Sequence, residues 1–138
     1  MIRGDLKRLA TASLVAGLLV TFVGGAAEAA SISVSPHSGP AGTSITIVGS
    51  GFPVIPGPYG FCQHAVLRFV DVSGHRTGWG SVNDRGGAFS VTELIPPDAT
   101  VGIGRVTALA PSAVHAPYCI NPIQTHRRFT VTAPAPRH

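Results

Sequence analysis

Residues 35–52, SPHSGPAGTSITIVGSGF, join a turn rich in Pro and Gly to a run of alternating apolar and polar side chains. Within residues 44–49, isoleucines alternate with Ser and Thr, and successive side chains of a strand point to opposite faces. The run closes on Gly49-Ser50-Gly51-Phe52, where the glycines signal a second turn. This stretch predicts a strand with one face in a hydrophobic core and the other in water, as in a β-sandwich.

Six other short runs rich in β-branched or aromatic residues have a similar character, and no window shows a sustained helical period. Between them lie turn signals such as 83–87 (NDRGG) and Pro96-Pro97. The predicted strands are 31–35, 44–49, 65–71, 76–82, 88–94, 104–110 and 128–132. About seven short strands in roughly 100 residues is typical of an immunoglobulin-like sandwich. We therefore predict an all-β fold of two antiparallel sheets.

The first 29 residues have the three parts of a secretory signal peptide. Basic residues at the start precede an uncharged apolar stretch, 9–23, and Ala27-Glu28-Ala29 supplies small residues where a signal peptidase cleaves. The alternative is a retained membrane anchor, but the apolar core is about 15 residues, against roughly 20 for a bilayer span. We expect cleavage after Ala29, leaving a domain at 30–132, a flexible tail at 133–138 and no membrane span. The protein is then secreted, or held at the cell surface.

Composition and motifs argue against several classes of function. Beyond residue 29 the chain has seven Arg, no Lys and four carboxylates, a net charge of +3, and only Arg127-Arg128 are adjacent. It has no basic stripe with interleaved aromatics, so we expect no nucleic-acid partner. A nucleophile elbow, a His-Glu-x-x-His pair, a phosphate-binding glycine loop and paired carboxylates are not found in the sequence. We predict a protein that is not an enzyme and has no cofactor.

The order of these short motifs resembles the IPT/TIG family of bacterial immunoglobulin-like domains. The residues that carry the resemblance are Ser35-Pro36, Gly39-Pro40-Ala41-Gly42, Gly49-Ser50-Gly51-Phe52, 84–90 (DRGGAFS), Ile95-Pro96, 102–108 (GIGRVTA) and 129–132 (FTVT). The resemblance implies an immunoglobulin-like fold in a secreted or surface protein. In such proteins these domains act as spacers or as binding modules.

Cys62 and Cys119 are the two cysteines of the chain. An exported protein meets an oxidising compartment, where an even number of cysteines favours disulfide pairing. In the predicted topology, strands 65–71 and 104–110 are antiparallel neighbours, so both cysteines lie at the same end of the sandwich. We predict a Cys62–Cys119 disulfide, with two free thiols or a metal-binding pair as the alternative.

This disulfide would join the two longest predicted loops, 52–61 and 111–127. Both contain prolines, which lower the entropic cost of ordering, together with the aromatic and aliphatic side chains that recognition surfaces use. The candidate partner-binding residues are Phe52, Tyr59, Phe61, His115, Tyr118 and Ile123. The alternative is that these side chains only pack the long loops around the disulfide.

The histidines and the tryptophan have alternative interpretations. His64, His115 and His126 are three imidazoles near the predicted disulfide end, but their spacing matches no zinc or copper motif, and we predict no metal site. Trp79 lies between two glycines on the weak strand 76–82. It is either exposed on a flexible ribbon, where it can stack on a sugar, or half-buried against the sandwich, which we favour.

The sequence favours a secreted, non-catalytic binding module that contacts an extracellular protein or glycan through the loops at the Cys62/Cys119 end. A second hypothesis is a carrier of a small apolar ligand. It rests on a more distant resemblance to the secreted apoproteins of enediyne chromophores, which typically have two local disulfides. A purely structural surface domain is the third. A deep apolar pocket between the sheets would favour the carrier, and a protruding aromatic patch would favour a macromolecular partner.

Overall fold

A computed structural model describes residues 29–136, so the predicted signal peptide lies outside the described residues except for Ala29. The strands, in chain order, are β1 Ser31–Ser35, β2 Ser38–Pro40, β3 Ser44–Ser50, β4 His64–Val70, β5 Arg76–Asn83, β6 Phe89–Leu94, β7 Gly102–His115 and β8 Tyr118–Thr132. They form a three-stranded sheet, β1-β3-β6, and a five-stranded sheet, β2-β8-β7-β4-β5. The predicted all-β sandwich of two sheets is confirmed.

Two single-turn 3-10 helices, Gly60–Cys62 and Arg85–Gly87, lie between strands. Over residues 29–136, no helix has the length and apolar character needed to cross a membrane.

The partition of strands between the sheets is that of an immunoglobulin-like sandwich, with β1, β3 and β6 on one side and β4, β7 and β8 on the other. The prediction of purely antiparallel sheets is wrong in one place. The chain crosses from one sheet to the other after β1, and β2 then pairs in parallel with β8 from Ser38↔Thr130 to Pro40↔Thr132. Sequence reasoning missed β2 because its three residues, Ser-Gly-Pro, are typical of a turn.

The second correction concerns the predicted loop 111–127, which is a long hairpin. β7 and β8 pair from Gly102↔Val131 to His115↔Tyr118, leaving only two residues between the strands. The prolines at 111 and 122 suggested a loop because proline cannot donate to a ladder. Pro111 is tolerated because β4 and β7 stop pairing at Val66↔Leu109, and Pro122 because β2 pairs with β8 only from Thr130 to Thr132. Beyond Leu109 the hairpin projects as a two-stranded arm.

Inward-facing side chains of both sheets fill the sandwich. The largest fully buried apolar side chains are Phe69, Phe129, Ile32, Ile45, Ile47, Leu67, Ile95, Val106 and Val131. Phe69 lies at the centre, with its ring centroid 6.3 Å from that of Phe129 and 6.1 Å from that of Trp79. β7 approaches this ring at Gly104, where a Cβ atom would lie only 2.6 Å from the Phe69 ring.

Trp79 connects the two sheets along the open side between β5 and β6. The register of β4 and β5 shifts between Leu67 and Arg68, and Trp79 is the extra residue of this bulge. Its ring is half-buried against Phe69, and its indole N–H donates to the Leu94 carbonyl of β6 at 3.1 Å. The half-buried interpretation is confirmed, and the exposed ribbon is wrong.

Asp71 organises the turn after β4. Its Oδ1 accepts hydrogen bonds from the Ser73 hydroxyl at 2.6 Å and from the Ser73 and His75 backbone amides at 3.0 Å. Its Oδ2 accepts from the Thr100 amide at 3.1 Å, which ties the turn to the segment before β7. The Ser73 hydroxyl, followed by the Thr100 amide, lowers the pKa of this carboxyl to about 2, against the opposing effect of burial.

Replacing Asp71 with Asn will lower the free energy of unfolding at pH 7. The folded-state pKa lies below the unfolded value of about 3.9, so the ionised carboxylate stabilises the fold above about pH 5. That stabilisation is lost as the pH falls towards 2. The difference between wild type and D71N will therefore narrow between pH 5 and pH 2 in denaturant unfolding. The exposed Asp98→Asn variant is the control, and a difference that does not change with pH would contradict the role of the charge.

Candidate functional site

The Cys62–Cys119 disulfide is confirmed, with an S–S distance of 1.97 Å and a Cα–Cα distance of 5.6 Å. Cys62 ends the 3-10 turn before β4, and Cys119 lies near the start of β8. The bridge therefore connects residues 51–63, between β3 and β4, to residues 111–122 of the projecting hairpin. We call these two segments the disulfide end.

Gln63, next to the disulfide, holds the first segment in place. Its side chain is 7% exposed, and its Nε2 donates to the Pro53 carbonyl at 2.8 Å and to Asp84 Oδ1 at 3.0 Å. Its Oε1 accepts from the Ile55 amide at 2.8 Å. A buried polar group left without its partners costs about 1–3 kcal/mol, so this network determines the path of residues 53–55.

Asp84, the second member of the network, is 1% exposed and accepts from Gln63 through both its side chain and its carbonyl. The sequence predicted only a turn at 83–87. Neither Gln63 nor Asp84 belongs to a motif, because their contact spans 21 residues of sequence and depends on the fold. The one feature of the sequence that could have drawn attention to Gln63 is its position, as a polar residue between a cysteine and an apolar strand.

Two small cavities lie at the disulfide end. The first, of about 260 Å³, lies between residues 54–59 and the hairpin and is lined by Val54, Ile55, Pro56, Tyr59, Ser112, Ala113 and Val114. The second, of about 190 Å³, is lined by His64, Val66, Leu109, Ala110, Pro111, Cys119 and Pro122. Both are smaller than the roughly 300–1,000 Å³ of sites that enclose drug-sized ligands.

The assignment of Phe52 as a partner-binding residue is wrong. Its side chain is 3% exposed and packs against Phe89, with ring centroids 5.5 Å apart. Its amide donates to the Gly87 carbonyl at 3.1 Å, which fixes the chain to the turn before β6. Phe52 follows Gly51, whose positive φ of 72° directs the chain back over the core. It is therefore a core residue.

The other five candidates lie at or near the disulfide end. Phe61 is 55% exposed and Tyr118 is 66% exposed. Tyr59 is half-buried and meets Phe61 edge to face at 5.9 Å. His115 is exposed at the hairpin tip, directly opposite Tyr118. Ile123 is partly buried and packs against the core.

The structure gives no support to a metal site built from histidines. Among the described residues, no three His, Cys, Asp or Glu side chains come together as a metal site would require. Nδ1 of His64 lies 3.0 Å from the Phe61 carbonyl, and His126 stands opposite Thr107 in the sheet. Both candidate cysteines are used in the disulfide.

No family model matches the chain, and a search of curated proteins found no significant match. The resemblance to the IPT/TIG family therefore stays a prediction. Because one fold serves many functions, the sandwich by itself does not assign a function to this chain.

Proposed function

We propose that this protein is an extracellular, non-catalytic binding module that contacts a protein or a glycan through its disulfide end. One observation carries the proposal: Val54, Phe61 and Tyr118 are each more than half exposed on this end of the molecule. Val72, Val101 and Ile103 are exposed to a similar extent elsewhere, but among residues 29–136 the two exposed large aromatic side chains, Phe61 and Tyr118, both lie at this end. Aromatic side chains with few rotatable bonds are also the residues that dominate binding energy.

The rigidity of the disulfide end supports the same proposal. The Cys62–Cys119 bridge connects the hairpin to the segment before β4. The Gln63 side chain holds that segment by hydrogen bonds to Pro53 and Ile55, and is itself bonded to Asp84. Binding costs less when the contact surface is ordered before the partner arrives. A disulfide also fits an oxidising compartment outside the cytoplasm, which agrees with the predicted export.

A macromolecular partner is favoured over a small apolar ligand. The two cavities, of about 260 and 190 Å³, lie at the disulfide end and are smaller than a typical ligand site. The space between the sheets is occupied at its centre by Phe69 and Phe129, which are 1% and 0% exposed. The carrier hypothesis needs a deep apolar pocket in this region.

Site-specific photo-cross-linking tests the proposal. p-Benzoylphenylalanine is introduced in place of Phe61 or Tyr118, and the producing cells with their medium are irradiated. The control position is Leu94, which is 60% exposed and ends β6 in the three-stranded sheet, away from the disulfide end. We expect one cross-linked product of the same partner mass from positions 61 and 118, and none from 94.

Two results would contradict the proposal. Equal cross-linking from all three positions would indicate that the disulfide end has no preference for a partner. A small-molecule adduct on the intact protein in native mass spectrometry, without a cross-linked partner, would favour the carrier.

A further inference from the structure

The five-stranded sheet has an unusual distribution of charge. Its five strands contain five Arg and three His, and no Asp, Glu or Lys. These residues are scattered along the sequence, where only two of the arginines are adjacent. The charged side chains of this sheet are therefore all positive, a concentration of charge that the sequence pattern did not indicate.

The strand register collects four of the arginines on the outer face of this sheet. Phe69, Val106 and Phe129 are buried and point to the core, so the residues next to them on each strand point outward. Pairing then gives a row across four strands, from Arg76 through Val70 and Arg105 to Arg128. Three strand spacings of about 4.8 Å make this row about 14 Å long.

Arg68 lies in the next row, opposite Thr107, which is itself opposite His126. We call the set Arg68, Arg76, Arg105, His126 and Arg128 the arginine face. All of these side chains are exposed except that of Arg68, which is half-buried. Arg127 does not belong to the face, because its Nε donates to the Ile32 carbonyl of the other sheet at 2.7 Å.

None of the carboxylates of the described residues lies on a strand of the five-stranded sheet. Asp71 is engaged by the turn after β4, and Asp84 is buried beside Gln63. Glu93 lies on β6 in the other sheet, and Asp98 lies between β6 and β7. The direct pairing of Arg105 with Arg128 is unfavourable in isolation, since like charges opposite each other destabilise a sheet. An anion bound between the two guanidinium groups would reduce this repulsion.

We propose that the arginine face binds an anionic polysaccharide. Guanidinium groups form paired hydrogen bonds to sulfate, phosphate and carboxylate groups, and a row of them suits an extended chain that repeats such groups. The outward-facing neighbours of the arginines include aliphatic and hydroxyl side chains such as Val66, Val70 and Thr107. The imidazole of His126 is the one ring within the arginine face, which lacks the Phe, Tyr or Trp side chains on which successive nucleobases stack. The proposal concerns a surface other than the disulfide end and does not depend on its partner.

Binding to a heparin decasaccharide at 150 mM NaCl, measured by calorimetry, tests this proposal. Arg105→Gln and Arg85→Gln form a matched pair, because both residues are exposed and both substitutions remove one charge. Arg85 lies outside the sheet, in the 3-10 turn before β6. We expect R105Q to weaken binding by about tenfold or more, as for the loss of a charged hydrogen bond. R85Q will change the dissociation constant less than twofold. The double variant R105Q/R128Q will also reduce the dependence of the affinity on salt concentration.

Several results would overturn the proposal. Equal losses of heparin affinity in R85Q and R105Q would mean that binding depends on the net charge of the protein and not on the arginine face. No binding of the wild type at 150 mM NaCl would mean that the face does not bind an anionic polysaccharide. Tighter binding to single-stranded DNA, or to vesicles containing phosphatidylserine, would assign the face to another class of partner. Circular dichroism of each variant verifies that a loss of binding is not a loss of fold.

Discussion

Replacing both cysteines with serine (C62S/C119S) will lower the free energy of unfolding by about 4 kcal/mol. The bridge closes a loop with a sequence separation of 57 residues, and its removal restores the chain entropy of the unfolded state. The difference is measured by denaturant unfolding of wild type and variant under non-reducing conditions. Wild type that has been reduced with a thiol should give the same result, because it lacks the same covalent bond.

In C62S/C119S, the loss of stability will be accompanied by local opening of the structure at the disulfide end. Residues 111–122 project beyond the last β4–β7 pair, and apart from the chain itself the bridge is the covalent bond that ties them to the segment before β4. Hydrogen exchange in C62S/C119S should therefore increase more at 111–122 than in β4 or β6. Unchanged protection of the hairpin would contradict this, and would indicate that pairing between β7 and β8 alone orders it.

Phe69→Ala will destabilise the protein by about 3–5 kcal/mol, the usual range for removing a buried phenylalanine. Phe69 is 1% exposed and its ring contacts both Phe129 and Trp79, so the truncation leaves a cavity between the sheets. Circular dichroism in increasing denaturant measures the change.

The matched control for this prediction is Phe61→Ala. Phe61 is 55% exposed, and surface substitutions of this kind usually change stability by about 0.5 kcal/mol or less. If F61A destabilises as much as F69A, Phe61 belongs to the packed core. That outcome would also remove one of the three side chains on which the proposed binding surface rests.

The parts of the fold that the sequence predicted depend on local patterns. Ile45 and Ile47 alternate with Ser and Thr, and both are buried as the alternation requires. The disulfide could be predicted because each cysteine lies near the end of one of two neighbouring strands. That prediction needed only the correct order of the strands in the sheet. Five of the seven predicted strands match an observed strand without major change of position or length. The other two, 104–110 and 128–132, are parts of the much longer β7 and β8.

The missed features depend on contacts that cross the fold. A proline such as Pro111 or Pro122 argues against a strand only where a neighbouring strand needs its missing N–H. The sequence does not indicate where β4 stops pairing with β7, so it does not reveal that Pro111 lies beyond that pairing. Phe52 and Phe61 are similar aromatic residues of one predicted loop, yet one is in the core and the other is exposed. The arginine face likewise needs the register of four strands before its members become neighbours.

The position of Trp79 has a practical consequence for studying this protein. It is the one tryptophan of the chain, and its indole lies between Phe69 of one sheet and the Leu94 carbonyl of the other. Intrinsic fluorescence excited at the indole band therefore reports on the junction of the two sheets without any added label. The emission will shift when the sheets separate, while events confined to the hairpin tip will leave it unchanged.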